Sequence, residues 1–439
     1  MLPNTVQIAQ ILHASFVPAQ SEVAHILTDS RQCGKNDVFL ALKGEKFDGH
    51  LFVADVLQKG AALAIVDHIV ENAPVDKQIV VSDVLDAYGK IGAYIRSCFR
   101  GIVIGLTGSA GKTTTKEEIK FILSKFGKVY ATAGNHNNFV GVPESLCQMD
   151  LTADFAVIEM GMSAKGEIER LVSYVQPDIA LITNVYPMHI EFFPSLKDIA
   201  YAKAEIFSGL KKGGTAIFNA DTNFADVLEE EARQKTDKVL KFGHNFLPSV
   251  SFETANEGEH YFYNALATLK VVEALNLDVK KAASFIKDFG ALDGRGRQHK
   301  LCLPNGAHYT LIDDSYSGQP EAMKLAIRSL DKMPCKGRKI AVLGKMAELG
   351  DFSKQKHIEI GQELKNTSVD IVIGVCAEMK DMLEKLPAHI KQFYFENKDG
   401  VADFLLNNLL QNEDIVLIKG ARYSSKLYQV TEELLNKGK

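Results

Sequence analysis

Residues 107–114 read Thr-Gly-Ser-Ala-Gly-Lys-Thr-Thr, and these types in this order suit the binding of a nucleotide phosphate. Glycines let backbone N–H groups turn onto an anion, and a helix start adds its positive dipole end. The Lys112 ammonium can reach the outer phosphates, and the Thr113 hydroxyl can ligate magnesium. The spacing is irregular. The general pattern requires glycine five residues before Gly111, where Leu106 stands; the glycines present are Gly105 and Gly108. The segment is therefore a variant phosphate loop or a glycine-rich turn with no ligand. Its flanks favour the loop, with Thr107, Gly108, Ser109, Ala110, Gly111, Lys112, Thr113 and Thr114 as phosphate contacts.

Those flanks are the elements that must position it. The apolar run Ile102 to Leu106 reads as a buried strand, and Ile119, Ile122, Leu123 and Phe126 mark a helix face that stops at Gly127. Similar apolar runs alternate with helical patterns along most of the chain: Ala62–Val66, Phe155–Ile158, Ile179–Thr183, Ala216–Phe218, Thr310–Ile312, Ile340–Leu343, Ile371–Val375 and Ile415–Ile418. Continuous rather than alternating hydrophobicity predicts strands buried on both faces, hence parallel α/β sheets. The 439 residues allow about three domains. One boundary falls near Arg96–Arg100. The other falls within 290–305, where Gly294-Arg295-Gly296-Arg297-Gln298 reads as a flexible polar hinge. The expected units are 1–99, 100–297 and 298–439.

A net charge of −5 gives no sign of a nucleic-acid partner. The six scattered cysteines contain no C-x-x-C pair, which argues against a zinc site or disulfide framework and fits a reducing compartment. With no signal-peptide pattern and no apolar run near the ~18 residues of a membrane span, a cytoplasmic location is expected.

Ligands of open parallel sheets bind beyond the carboxyl ends of the strands, so the residues that follow each strand are candidates. Glu159 could meet a metal held by Thr113. Asn184 and His189 follow the next strand, and Asn219-Ala220-Asp221 a further one. Asn137 and Asn138 lie in a polar loop that is either a turn or a source of amides for a substrate. Asp313, Asp314 and Tyr316 end a later strand, as do Lys345 and Arg422 near two others. Ser30 and Arg31 could grip a diphosphate, and Asp48 and His50 lie close by. Helix caps, ordinary βα turns and surface salt bridges are the plain alternatives for each. Lys203, read by itself, is a solvated helix lysine.

Taken together these residues resemble the Mur ligases, ATP-dependent amide-forming enzymes of bacterial cell-wall synthesis. The resemblance covers all three segments. The loop at 107–114 is similar to that family's variant phosphate loop, which accounts for Leu106. Asn137-Asn138 with Gly141-Val142-Pro143, Glu159-Met160-Gly161, and Thr183-Asn184 with His189 resemble its central signatures. Asp313-Asp314-Ser315-Tyr316 and Glu348-Leu349-Gly350 resemble the members that add a dipeptide, although Ser317-Gly318-Gln319 and Lys345 depart from their usual Asn-Ala-Asn and Asp.

The resemblance implies a small α/β N-terminal domain for a UDP-sugar peptide, a central phosphate-loop domain with a parallel sheet for ATP, and a Rossmann-like C-terminal domain. It implies ATP and two Mg2+ ions, one held by Thr113 and Glu159, the other by His189 and a carbamylated Lys203. Lys112, His189 and Lys203 become the catalytic set. Asn264, Arg295 and Asp313 or Asp314 are expected at the nucleotide. Ser30, Arg31, Asp48, His50, Asn137, Asn138, Tyr316, Lys345 and Arg422 are expected at the substrates. Those substrates are UDP-N-acetylmuramoyl-tripeptide and D-alanyl-D-alanine, handled by a monomer. The alternatives are another amino-acid ligase of the same kind or a phosphate-loop NTPase of a non-ligase class.

Overall fold

The computed structural model describes residues 2–44, 47–188, 190–256, 258–303 and 305–438. The α/β alternation expected from the apolar runs is present as three sheets. The first holds four parallel strands, Ile26–Leu27, Val38–Leu40, Leu63–Val66 and Gln78–Val80, side by side in chain order. The second holds six parallel strands in the spatial order Val239–Phe242, Thr215–Asn219, Ile179–Ile182, Ile102–Thr107, Phe155–Glu159, Val129–Ala131. The third sheet is parallel except for the edge strand Arg297–Cys302, which runs antiparallel to His308–Asp314.

That edge strand corrects the expected hinge. Residues Arg297 and Gln298 belong to a regular ladder, with Arg297 opposite Asp313 and Gln298 opposite Ile312. The run Arg-Gln-His-Lys-Leu-Cys has no strand signature of its own. Its backbone pairing with a buried neighbour makes it a strand, and an edge position tolerates its charges. The short strands Ile26–Leu27 and Val129–Ala131 are likewise held by their neighbours rather than by a long apolar run.

Burial divides the molecule unevenly. One continuous apolar core runs from Ile8, Val38 and Ile65 of the first sheet region through Ile91 and Ile95 to Val103, Ile158 and Leu171 of the second. Arg96 is buried at this junction and donates to the Val175 carbonyl at 2.8 Å and the Gln176 carbonyl at 2.9 Å. The third sheet packs helices against its two faces in separate cores. The first two units thus share an interior, whereas the third meets them mainly across a polar cleft. No described helix is long and apolar enough to cross a membrane.

Candidate active site

The strand Ile102–Thr107 sits where chain order reverses in the second sheet. The chain leaves it for the edge strand Val129–Ala131, returns to Phe155–Glu159 on one side, and crosses to Ile179–Ile182 on the other. A crevice opens beyond the carboxyl end of such a strand, and the loop 108–111 lies there. Gly108 has no room for a side chain: a Cβ would stand 1.8 Å from Thr183 Oγ1. Gly111, at φ +77°, precedes the helix Lys112–Leu123 in a left-handed conformation that glycine adopts without strain. Thr183 Oγ1 donates to the Ala110 carbonyl at 2.8 Å, and Asn184 Oδ1 accepts from Ala110 N at 2.8 Å. Ser109 Oγ accepts from Tyr186 N at 2.9 Å. The segment after the neighbouring strand therefore moulds the loop.

Lys112 Nζ donates to the Gly108 carbonyl at 2.8 Å, inside the curl of its own loop. Burial pushes its pKa below the ordinary lysine value, and Glu159 partly opposes that shift. Glu159 itself is fully buried. Its Oε1 accepts from Asn137 Nδ2 at 2.7 Å and from Thr113 Oγ1 at 3.2 Å. Its Oε2 is buried with no hydrogen-bond partner, and Lys116 Nζ stands 3.6 Å away. A buried carboxylate oxygen left open beside a threonine hydroxyl suits a hard cation that takes oxygen ligands.

Lys203, read from sequence as solvated, is only 2% exposed on the helix Leu196–Ala204. Among the described residues no carboxylate pairs with it. Burial, followed by the nearby Lys112 cation, drives its pKa well below the ordinary value, so it favours the neutral amine. His189 lies outside the described residues.

The third unit closes the cleft, which has a volume of about 470 Å³. Arg295 donates to Thr113 Oγ1 at 3.0 Å, and its guanidinium lies 4.2 Å from the Tyr316 ring centroid. Arg422 approaches the same ring at 5.5 Å and the Tyr428 ring at 4.2 Å. Asn264 enters from the helix Glu259–Ala274 and accepts from Thr115 Oγ1 at 3.1 Å. Asp314 faces the cleft in a buried pair with Lys419 at 2.7 Å.

Other expected residues have different surroundings. Asp313 is occupied within the fold, accepting from Gly294 N at 2.8 Å and Ser315 Oγ at 2.6 Å. The Lys345 ammonium is tied to Glu378. Asn138 Oδ1 accepts from Gly141 N at 2.9 Å, at the start of the helix Gly141–Cys147. Ser30, Arg31, Asp48 and His50 belong to the first unit. Arg31 is exposed and paired with Asp29 at 2.7 Å. His50 is buried, with Nδ1 2.7 Å from Asp48 Oδ1.

Four groups at the site were absent from the expected set: Lys116, Lys419, His260 and Glu348. Lys116 had a sequence signal, since it shares the apolar helix face with Ile119 and Leu123 at i+3 and i+7. Glu348 lies in the run Glu348-Leu349-Gly350 that the resemblance had already singled out, whereas Lys419 and His260 had no signal beyond their positions near element ends.

Residues 22–93 match the family described as Mur ligase family, catalytic domain. Residues 106–247 match the Mur ligase middle domain, and residues 296–422 the Mur ligase, glutamate ligase domain. A UDP-N-acetylmuramoyl-tripeptide–D-alanyl-D-alanine ligase of Rickettsia prowazekii is 32% identical, covering 90% of this chain and 91% of that protein. The enzyme of the same description from Bacillus subtilis is 32% identical with 99% of each chain covered. A crystal structure of MurF from Acinetobacter baumannii superposes with a TM-score of 0.88 at 30% identity, covering 99% of this chain and 100% of that one. MurF from Thermotoga maritima in complex with ADP superposes at 0.80, with 26% identity and 94% and 98% coverage.

Proposed function

The chain belongs to the Mur ligase family of ATP-dependent ligases, and from that premise we propose that it joins D-alanyl-D-alanine to UDP-N-acetylmuramoyl-tripeptide. The products are the UDP-linked pentapeptide, ADP and phosphate. The observation that carries this reading is the cleft itself. Lys112, Thr113 and the open oxygen of Glu159 on one wall face Arg295, Tyr316 and Arg422 on the other. Such a cleft suits a nucleotide phosphate on one side and a second substrate on the other.

A carboxylate is a poor electrophile, so the tripeptide carboxylate first attacks the ATP γ-phosphate to give an acyl phosphate and ADP. Lys112 leaves the Gly108 carbonyl to meet the β- and γ-phosphates, and Arg295 offsets charge on the transferring group. Magnesium, held by Thr113 and Glu159 at one position and by His189 and carbamylated Lys203 at a second, supplies further charge neutralisation when bound. Carbamylation needs a neutral amine, and the burial of Lys203 beside Lys112 favours that form. The amine of D-alanyl-D-alanine then attacks the acyl carbon and expels phosphate. Asn264 and Asp314 serve the nucleoside, and Asn137 orients Glu159. The unit 1–99 holds the UDP-sugar through Ser30, Arg31, Asp48 and His50, the unit 100–297 holds ATP, and the unit 298–439 brings the dipeptide. The enzyme works as a cytoplasmic monomer.

Phosphate release with defined UDP-tripeptides, with and without D-alanyl-D-alanine, tests the reading. Full turnover is expected only with both acceptors present, and Lys112→Ala should lower it at least about 1000-fold. Near-normal amide formation by Lys112→Ala, or acceptor-independent ATP hydrolysis at full rate, would overturn the reading.

A further inference from the structure

Tyr423 lines the cleft from the third unit and is 77% exposed. Among the described residues its ring stacks on no other ring and its hydroxyl makes no hydrogen bond. A tyrosine ring is a large apolar surface that gains when something covers it. A bare one on a cleft wall suits an apolar group that arrives with a ligand.

The backbone beneath that ring is firmly seated. Tyr423 belongs to the four-residue helix Arg422–Ser425. Ala421 N donates to the Lys345 carbonyl at 3.1 Å, and Arg422 N donates to the Tyr316 carbonyl at 3.2 Å. Three glycines make room for the segment. A Cβ on Gly318 would collide with Ala421 N, and one on Gly344 or Gly420 would stand 2.6 Å from the Ser425 side chain. Gly318 lies in the Ser-Gly-Gln run that departs from the usual Asn-Ala-Asn, and the usual alanine would push Ala421 away. The departure therefore lets the helix sit tight against its neighbouring loop.

The two ends of the cleft are separated around the phosphate-loop helix. Asn264 stands beside Gly111 and Thr115. Thr113 lies about 200° round the helix axis from either, where it meets Glu159 and Arg295. Contacts run outward from Thr113 through the third unit: Arg295 at 3.0 Å, the Tyr316 ring 4.2 Å from that guanidinium, and Arg422 5.5 Å from the same ring. Tyr423 follows Arg422 in the chain and is near enough to Tyr316 to act on it electrostatically. It thus belongs to the end where phosphate is transferred, away from Asn264.

We propose that Tyr423 is a specificity-determining residue for the amine substrate, its ring covering the methyl groups of D-alanyl-D-alanine beside Arg422. The proposal rests on the amide-ligase reading above. The ring removes the methyl groups from water and takes no part in proton or phosphoryl transfer.

Steady-state kinetics of wild type, Tyr423→Ala and Tyr423→Phe, with each of the three substrates varied in turn, tests this. In Tyr423→Ala the KM for D-alanyl-D-alanine is expected to rise at least about tenfold. The KM values for ATP and UDP-tripeptide should stay within about threefold, which also shows that the variant is folded. The preference in kcat/KM for D-alanyl-D-alanine over D-alanyl-glycine should shrink at least about threefold. Tyr423→Phe keeps the ring and should retain both properties. A smaller rise in the dipeptide KM, an equal rise for ATP or UDP-tripeptide, or an unchanged preference between the dipeptides overturns the proposal. An equal loss in Tyr423→Phe assigns the effect to the hydroxyl and overturns it too. A wild-type enzyme that forms no amide with D-alanyl-D-alanine overturns the ligase reading itself, and the proposal with it.

Discussion

Arg295 Nη2 donates a 3.0 Å hydrogen bond to Thr113 Oγ1, joining the segment that enters the third sheet to the first turn of the phosphate-loop helix. The same guanidinium stacks 4.2 Å from the Tyr316 ring centroid. One side chain therefore reports on both walls of the cleft. Lysine keeps the charge but has neither the planar face nor the fork. Arg295→Lys should thus lower kcat/KM for ATP nearly as far as Arg295→Ala, each by about 100-fold. Steady-state ADP release checks this, and full activity in the lysine variant would refute it.

Lys203 is buried with its ammonium disfavoured. A carbamate on its nitrogen predicts a carbonyl resonance from 13C-bicarbonate that wild type shows and Lys203→Gln lacks. The same variant should lose at least about 100-fold in turnover. Removal of dissolved carbon dioxide should slow the wild type in parallel.

Glu118 lies on the helix Lys112–Leu123, 3% exposed, and takes no part in the mechanism. Burial raises its pKa from an ordinary 4.5 to about 8. A raised folded-state value means the fold favours the protonated acid. Stability is then fully present below about pH 4.5 and is lost as pH rises through about 8. Glu118→Gln removes that loss. The variant should be more stable than the parent by about 1–3 kcal/mol near pH 9, with the difference shrinking toward pH 5. Chemical denaturation at the two pH values measures it.

Gly108 faces Thr183 with no space for a methyl group. Gly108→Ala must push the loop away from Thr183, and with it the backbone that meets phosphate. ATP affinity should fall by more than about tenfold, with little change in the affinity for UDP-tripeptide in the absence of nucleotide. Calorimetric titration of each ligand separates the two.

Much of this was legible in the chain because the signals are local. The buried strands Ile371–Val375 and Ile102–Thr107 carry their own continuous apolar runs, and the loop between Thr107 and Thr114 has its chemistry in adjacent residues. Arg297–Cys302 was not legible: its residues are polar, and only pairing with His308–Asp314 makes them a strand. The two adjacent aspartates illustrate the same limit. Nothing in Asp313-Asp314 says which carboxylate faces a ligand. Successive side chains of a strand point to opposite faces, which gives Asp313 to Gly294 and Ser315 and Asp314 to Lys419 and the cleft.

By itself, then, the order of residues determined the sheets' apolar strands and the phosphate loop, because each rests on contiguous side chains or backbone, while the kind of reaction came from the family resemblance of motifs spread along the chain. Tertiary structure decided what depends on burial and on contacts between distant segments. It sinks Lys203 away from water and leaves the Oε2 of Glu159 without a hydrogen-bond partner. It also brings Arg295 to Thr113, 182 residues earlier, and Glu348 from the third unit to the same cleft. Desolvation and long-range proximity are properties of the packed chain, and no local pattern encodes them.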